Sequence, residues 1–188
     1  IIDKNIKSKV NIDYLFLEGK VKIDAEYFIN KINQNCHASG THIVGEMTNF
    51  NFFNGDTKFE EFLVLILKEL DKHVFLRKYD FKEAWGYKQG FGHRTTEHDH
   101  IPNYLSGVLY LKVPKNSGNI VFIEPRPQAE VFEPPRNPDL SVHLAHSVQW
   151  EPKEKELIFF PSWLQHEVQE NNSNEDRVIM SFNLRWSI

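Results

Sequence analysis

The sequence predicts a mostly-β fold with flanking helices (α+β), a sandwich or jelly roll that carries its helices on one outer face. Three observations support this. From about residue 80 the chain breaks into short alternating runs bounded by Gly, Pro and Asn, as many short strands do. Before that point, two stretches place apolar residues at helical spacing,. Aromatics make up 13% of the chain, with fifteen Phe, which suits a packed, sheet-rich core.

Taken in order, Tyr14-Leu15-Phe16-Leu17 reads as an early strand. Asp24 is placed to cap a helix whose apolar face is Ala25, Phe28, Ile29, Ile32 and Cys36,. Residues 37–56, with scattered Gly, Asn and Thr, read as loop. Thr57-Lys58-Phe59-Glu60 matches a capping box,. The stripe of the helix it opens is Phe59, Phe62, Leu63, Ile66 and Leu70. The unbroken apolar run from Phe62 to Leu67 suggests burial on more than one side. Strands are expected near 82–88, 92–100, 105–112, 118–124, 129–133, 141–150, 156–160, 165–169 and 177–187. The Pro-rich stretch 124–138 is unsuited to a central strand and reads as an insertion or lid,. In the last strand Val178, Met180, Phe182, Leu184 and Trp186 share one face, expected to pack on the helices. Arg177, Ile179, Ser181, Asn183 and Arg185 share the other, which composition alone leaves either exposed or lining a pocket; Arg177, Ser181 and Asn183 are expected to look into the barrel,.

At 188 residues the chain fits one domain, with 1–80 as helical N-terminal support and 81–188 as the β core,. A net charge of −4 gives no basic footprint, so nucleic acid is not an expected partner,. No apolar run approaches a membrane span,. One cysteine, Cys36, allows no intramolecular disulfide, and a reducing cytoplasm is the expected setting,. The start at Ile1 rather than Met is what a trimmed N-terminal piece would leave.

The chemistry centres on Glu97-His98-Asp99-His100. In an extended segment, positions two apart face the same way, so His98 and His100 can converge while Asp99 points away. A close imidazole pair needs one distant group to complete a facial metal site. His166, in Phe159-Phe160-Pro161-Ser162-Trp163-Leu164-Gln165-His166, is the candidate. A lone histidine pair in a chain with nine histidines does not define a metal site by itself.

The pair is followed by Leu105-Ser106-Gly107-Val108-Leu109-Tyr110-Leu111. Then come Glu124-Pro125-Arg126, the segment from Leu157 to Val168, and Arg177 with Ser181-Phe182-Asn183. Together these resemble the Fe(II)/2-oxoglutarate-dependent oxygenases related to prolyl 4-hydroxylases, over roughly residues 85–188. The resemblance implies a double-stranded β-helix (jelly roll), one Fe(II), 2-oxoglutarate as co-substrate and O2. It also implies hydroxylation of a C–H bond with release of succinate and CO2. By the same resemblance His98, His100 and His166 take the metal, Arg177 anchors the distal carboxylate of 2-oxoglutarate with Tyr110 beside it, and Asn183 contacts co-substrate or substrate.

The chain departs from the family pattern where His100 stands in place of the usual carboxylate, and Asp99 is the fallback ligand if a bulge re-aims it. Where the family often has a small hydroxyl residue two positions after the arginine, this chain has Ile179. Arg185 is the rival anchor. His93 and Arg94 belong either to the substrate entrance or to an exposed loop. His146 reads as a core or rim histidine, and Trp85 and Trp163 as core or rim packing. Two other functions stay open: a cupin-type three-histidine metalloenzyme that does not use 2-oxoglutarate, and a non-catalytic jelly-roll binding module. The substrate, whether a small molecule or a peptide or protein residue, is not encoded legibly, nor is the oligomeric state.

Overall fold

The computed structural model describes residues 7–11, 14–39, 43–72, 79–125 and 147–186. The strands are β1 (Lys7–Asn11), β2 (Tyr14–Lys20), β3 (His37–Ala38), β4 (Ile43–Val44), β5 (Glu46–Met47), β6 (Tyr79–Gln89) and β7 (Arg94–His98). They continue with β8 (Leu105–Lys112), β9 (Ile120–Ile123), β10 (Ser147–Trp150), β11 (Glu156–Pro161), β12 (His166–Val168) and β13 (Arg177–Trp186). Two helices, α1 (Ala25–Asn35) and α2 (Thr57–Leu70), precede β6. One sheet runs β1-β2-β11-β8-β13-β6-β5-β3, and the other runs β10-β9-β12-β7-β4. The order is far from sequential, as the doubling-back of a jelly roll requires.

The two cores explain the layering. On the outer face of the large sheet, Phe28 and Ile32 of α1 and Phe59, Phe62, Leu63, Ile66 and Leu70 of α2 pack with Val178, Met180, Phe182 and Leu184 of β13. This is the expected apolar face of the last strand, although the Trp186 side chain lies outside the described residues. Between the sheets a second cluster joins Trp85, Tyr87, Val108, Tyr110 and Ile179 of the large sheet to Ile120 and Phe122 of the small one. Period-two alternation along β13 and β8 therefore sends one set of side chains to the helices and the other into the space between sheets. Gly86 lets α1 approach β6 closely, since a Cβ there would lie 2.3 Å from Cγ1 of Ile32,.

The helix starts show one agreement and one correction. Asp24 caps α1, accepting from the Tyr27 N–H at 3.2 Å. For α2 the cap is Asp56 rather than Thr57, accepting from the Phe59 N–H at 2.9 Å. The Asp56 carboxylate also accepts from Tyr27 Oη at 2.7 Å and pairs with Lys31, so one buried acid joins both helices. The Thr57 side chain carries no negative charge for Lys31, and with Asp56 as cap the helix starts at Thr57, one residue earlier than the capping-box reading expects,.

Two further expectations change. The run from Phe62 to Leu67 is not buried all round, because Val64 and Leu65 are exposed at 51% and 43%. The stretch 37–56 contains three two-residue strands, each held by pairing to a distant or neighbouring edge: β3 to β5, β4 to β7 and β5 to β6. Two of the three pairings reach strands outside the stretch, and runs of two residues leave no periodicity to read. Residues 126–146 lie outside the described residues. With them go the strand expected near 129–133, the first part of the one near 141–150, His146 and most of the Pro-rich stretch. No helix among the described residues is long and apolar enough to cross a membrane.

Candidate metal centre

His98 is the last residue of β7 and His166 the first of β12, and the two are register partners on neighbouring strands. Their ring centroids lie 4.3 Å apart. His100 arrives differently. The strand has ended, and the chain turns with the His100 N–H on the Ser162 carbonyl at 2.8 Å and the Asn103 N–H on the His100 carbonyl at 2.9 Å. The His100 ring then lies 5.1 Å from that of His98 and 5.2 Å from that of His166. One ligating nitrogen from each residue can be chosen so that all three lie within 4.8 Å of one another. The pairing expected from strand parity is present, but a turn rather than a strand delivers its second member.

Hydrogen bonds set the tautomers of two of the rings. His98 Nδ1 lies 2.8 Å from the Thr96 carbonyl, and His166 Nδ1 lies 2.9 Å from the Leu164 carbonyl. A carbonyl can only accept, so Nδ1 carries the proton in both and Nε2 presents its lone pair. Such outer bonds orient metal-ligating histidines generally. Phe160 packs 4.7 Å from the His166 ring, and Trp85 lies 5.9 Å from the His100 ring. Asp99 is outside the cluster. It is exposed, and its Oδ1 accepts from the Ile101 N–H at 3.1 Å, which occupies it in the turn. Three neutral nitrogens on one side of a cavity fit a divalent first-row ion with open positions on the other.

Burial keeps the His100 and His166 rings neutral. It pulls His100 down to about 4 from an ordinary 6.5, with a smaller push from His98 and a partial offset from Asp99. His166 is held well below the ordinary value, first by burial and then by its two histidine neighbours. In metal-free protein, an unfolded chain therefore binds protons at these two positions that the folded site refuses. Stability is fully present above about pH 6.5 and is lost as pH falls toward about 4,. Denaturant midpoints of the metal-free protein, measured between these pH values, should fall with pH. A His100→Gln, His166→Gln double variant should show a flatter profile.

The histidines share a cavity of about 200 Å³ between the sheets, which also touches Tyr110, Arg177, Ser181 and Asn183. Arg177 opens β13 and is 1% exposed. Its Nε donates to Gln89 Oε1 at 3.1 Å, one terminal nitrogen bonds the same oxygen, and the other donates to the Gly118 carbonyl at 2.9 Å. Gly118 has φ +82°, and a Cβ there would sit 2.5 Å from the Gln169 carbonyl oxygen, so this backbone acceptor depends on glycine,. No carboxylate among the described residues pairs with Arg177. Burial pulls its pKa down, and the Tyr110 and Tyr87 hydroxyls support the charge. Tyr110 is 4% exposed, burial pushes its phenol up, and its hydroxyl has no hydrogen-bond partner among the described residues. A buried cation without an anion, beside an orphaned donor, fits the carboxylate of a small ligand.

The other expected site residues fall into place around this core. Asn183 touches the cavity, but its amide is engaged: Oδ1 accepts from Ser106 Oγ at 2.8 Å and Nδ2 donates to Glu83 Oε1 at 2.8 Å. Arg185 donates to Asn103 Oδ1 at 2.9 Å and does not line the cavity. His93 accepts from the Gly90 N–H at 3.0 Å and Arg94 is exposed; neither lines the cavity. Trp85 is buried in the inter-sheet core, while Trp163 is 44% exposed. Sequence reasoning missed Gln89, Thr95 and Phe50, all of which border either the cavity or Arg177. Gln89 shares strand parity with Trp85 and Tyr87, the only local signal it offers.

No curated protein matches the chain. Among solved structures, it is similar to a viral collagen prolyl hydroxylase of Paramecium bursaria Chlorella virus-1, solved as its 2OG complex. The TM-score is 0.64 at 16% identity, covering 95% of this chain and 99% of that one. A prolyl-4-hydroxylase of Pseudomonas putida gives 0.64 at 14% identity, covering 92% and 93%. The non-heme alpha ketoglutarate dependent epimerase SnoN from nogalamycin biosynthesis gives 0.66 at 14% identity, covering 90% and 76%. These likenesses establish the jelly-roll fold. The model of the family described as "Putative 2OG-Fe(II) oxygenase" matches residues 83–183, more than half of the chain and the segment that holds every residue of the cavity's polar core. The chain belongs to the 2OG-Fe(II) oxygenase family.

Proposed function

We propose that the protein hydroxylates a C–H bond of its substrate, with His98, His100 and His166 holding Fe(II) and Arg177 with Tyr110 holding 2-oxoglutarate. The observation that carries this reading is the buried Arg177, unpaired with any described carboxylate, in the same cavity as three converging histidines. When bound, ferrous iron, 2-oxoglutarate and O2 supply the oxidising power, with succinate and CO2 as by-products.

The chain's own residues bind, orient and shield. Three neutral imidazoles leave the ion at about +2, where a carboxylate ligand would leave about +1. A dianionic co-substrate offsets that charge, and the positive end of the cavity at Arg177 favours its distal carboxylate. The guanidinium fork suits a carboxylate bidentately, and the Tyr110 O–H adds a further donor. Phe122 and Phe160 wall the His166 side against water. Asn183, tied to Ser106 and Glu83, holds the opposite end in a fixed polar arrangement. The substrate is a small molecule, an amino acid or a residue of a protein. The Pro-rich stretch 124–138 is the natural place for its selection. The single cysteine supports a reducing cytoplasmic setting,.

Anaerobic Fe(II) loading, 2-oxoglutarate titration and succinate release with and without candidate substrates test the reading. Arg177→Ala is expected to weaken 2-oxoglutarate binding by about ten- to a hundred-fold, since a hydrogen bond to a charged group contributes roughly 1.5–3 kcal/mol. Metal affinity should change little. Arg177→Lys should recover part of the loss, and Arg185→Ala should bind like the parent. If Arg177→Ala binds 2-oxoglutarate as tightly as the parent, the three-histidine metalloenzyme without this co-substrate becomes the better account.

A further inference from the structure

Among the described residues, every acceptor that meets the Arg177 guanidinium is neutral: the Gln89 amide oxygen and the Gly118 carbonyl. The two acids that precede it do not change this, since Glu175 pairs with Lys112 at 3.0 Å and the Asp176 carboxylate lies over Gly90, where its charge acts on Lys88. Gln89 is itself 1% exposed, and its orientation is determined from both ends. Its Nε2 donates to Thr95 Oγ1 at 3.2 Å, and the Thr95 hydroxyl in turn donates to the Tyr87 oxygen at 3.2 Å. The backbone carbonyl of Gln89 accepts from Asn171 Nδ2 at 2.8 Å, which fastens the strand end beneath it. The amide can therefore present only its oxygen to Arg177. A glutamate has the same shape and would pair with a buried arginine more strongly, yet this position carries the uncharged version.

We propose that Gln89 is a positioning residue for the co-substrate: it aims the Arg177 fork into the cavity and, being neutral, leaves the charge for an incoming carboxylate. A carboxylate in its place would complete an internal ion pair and repel the ligand it should admit. Thr95 and Tyr87 extend the same device, since they keep the amide from turning its N–H groups toward the guanidinium. The inference rests on the reading of Arg177 as the 2-oxoglutarate anchor.

The test is equilibrium binding of 2-oxoglutarate and of pyruvate to the anaerobic Fe(II)-loaded protein, for the parent, Gln89→Glu, Gln89→Met and Arg177→Ala. Pyruvate has the 2-oxo acid group but no distal carboxylate, so it reports on the site apart from the anchor. Gln89→Glu is expected to weaken 2-oxoglutarate binding by about ten- to a hundred-fold, through lost net charge. Gln89→Met keeps the charge but frees the fork, and is expected to weaken binding by about three- to ten-fold. Pyruvate should bind all four proteins alike, and in turnover KM for 2-oxoglutarate should rise with kcat moving far less. Parent-like 2-oxoglutarate affinity in Gln89→Glu, with loss in Arg177→Ala, overturns the role of Gln89 and leaves the anchor standing. Parent-like affinity in Arg177→Ala removes the anchor and this inference together. Parallel loss of pyruvate and 2-oxoglutarate in the Gln89 variants marks a purely structural role and also overturns it. Should Gln89→Glu not fold, parent-like affinity in Gln89→Met decides against the inference.

Discussion

Replacing His166 with alanine is expected to cost the protein both its metal and its turnover. The residue is 3% exposed, its Nδ1 is committed to the Leu164 carbonyl, and it faces His98 across paired strands. Among the described residues no fourth ligating side chain joins the cluster: Asp99 is held in its own turn, and Phe122 and Phe160 pack on the His166 ring. Structural zinc sites gain roughly 10–16 kcal/mol from four ligands, or about 3 kcal/mol for each, so one lost imidazole should weaken metal binding by at least about a hundredfold. Calorimetric titration with Fe(II) or Ni(II) under anaerobic conditions reads this directly. Asp99→Ala serves as the contrast and should keep parent affinity within a few-fold. A loss in Asp99→Ala with none in His100→Ala would reassign the second ligand and with it the charge of the centre.

The largest effect on stability is expected from Phe182→Ala. Phe182 is fully buried on the helix-facing side of β13, with ring centroids 5.6 Å from Phe159 and 6.3 Å from both Phe59 and Phe62. It also covers Gly107 of β8, where a Cβ would lie 2.4 Å from its Cζ. Removing the ring leaves a cavity where helix and sheet meet, and neither can move in to fill it. The expected loss is about 3–5 kcal/mol of unfolding free energy. Guanidinium denaturation should show a lower midpoint at unchanged slope. A loss under about 1 kcal/mol would mean that α2 closes onto the sheet in a way the present packing does not suggest.

Much of this architecture could be read from local patterns, and the exceptions share a cause. Strand β8 (Leu105–Lys112) falls on the expected residues because a dense alternating run is bounded on both sides by turn formers. The alternation along β13 holds from Arg177 to Leu184, with Val178, Met180, Phe182 and Leu184 against the helices and Arg177, Ile179, Ser181 and Asn183 at the cavity. The Asp24 cap was equally plain, a short acid just ahead of a helical stripe. What local pattern does not contain depends on partners far away in the chain. Asp56 rather than Thr57 caps α2 because Tyr27 and Lys31 of the other helix draw on the same carboxylate. His100 reaches the centre through a turn tied to Ser162, sixty-two residues on, which no parity rule contains. Gln89 meets Arg177 through cross-strand register, and register is a property of the assembled sheet,.

The three histidines are mounted on supports of unequal stiffness. His98 and His166 sit on paired strands, and Arg177 and Tyr110 belong to β13 and β8 in the middle of the large sheet. Strand β13 is bonded on both sides, to β6 and to β8. Groups in such a position open only with the whole sheet, whereas a turn held by a few backbone bonds opens alone and far more often. His100 is on such a turn. Among the described residues, the half of the cavity that carries Arg177 and Tyr110 therefore behaves as a fixed wall, and the half carrying His100 as a compliant edge,. Among the described residues around the cavity, local opening is expected first at residues 99–103, while Arg177 and Tyr110 stay fixed with the sheet,.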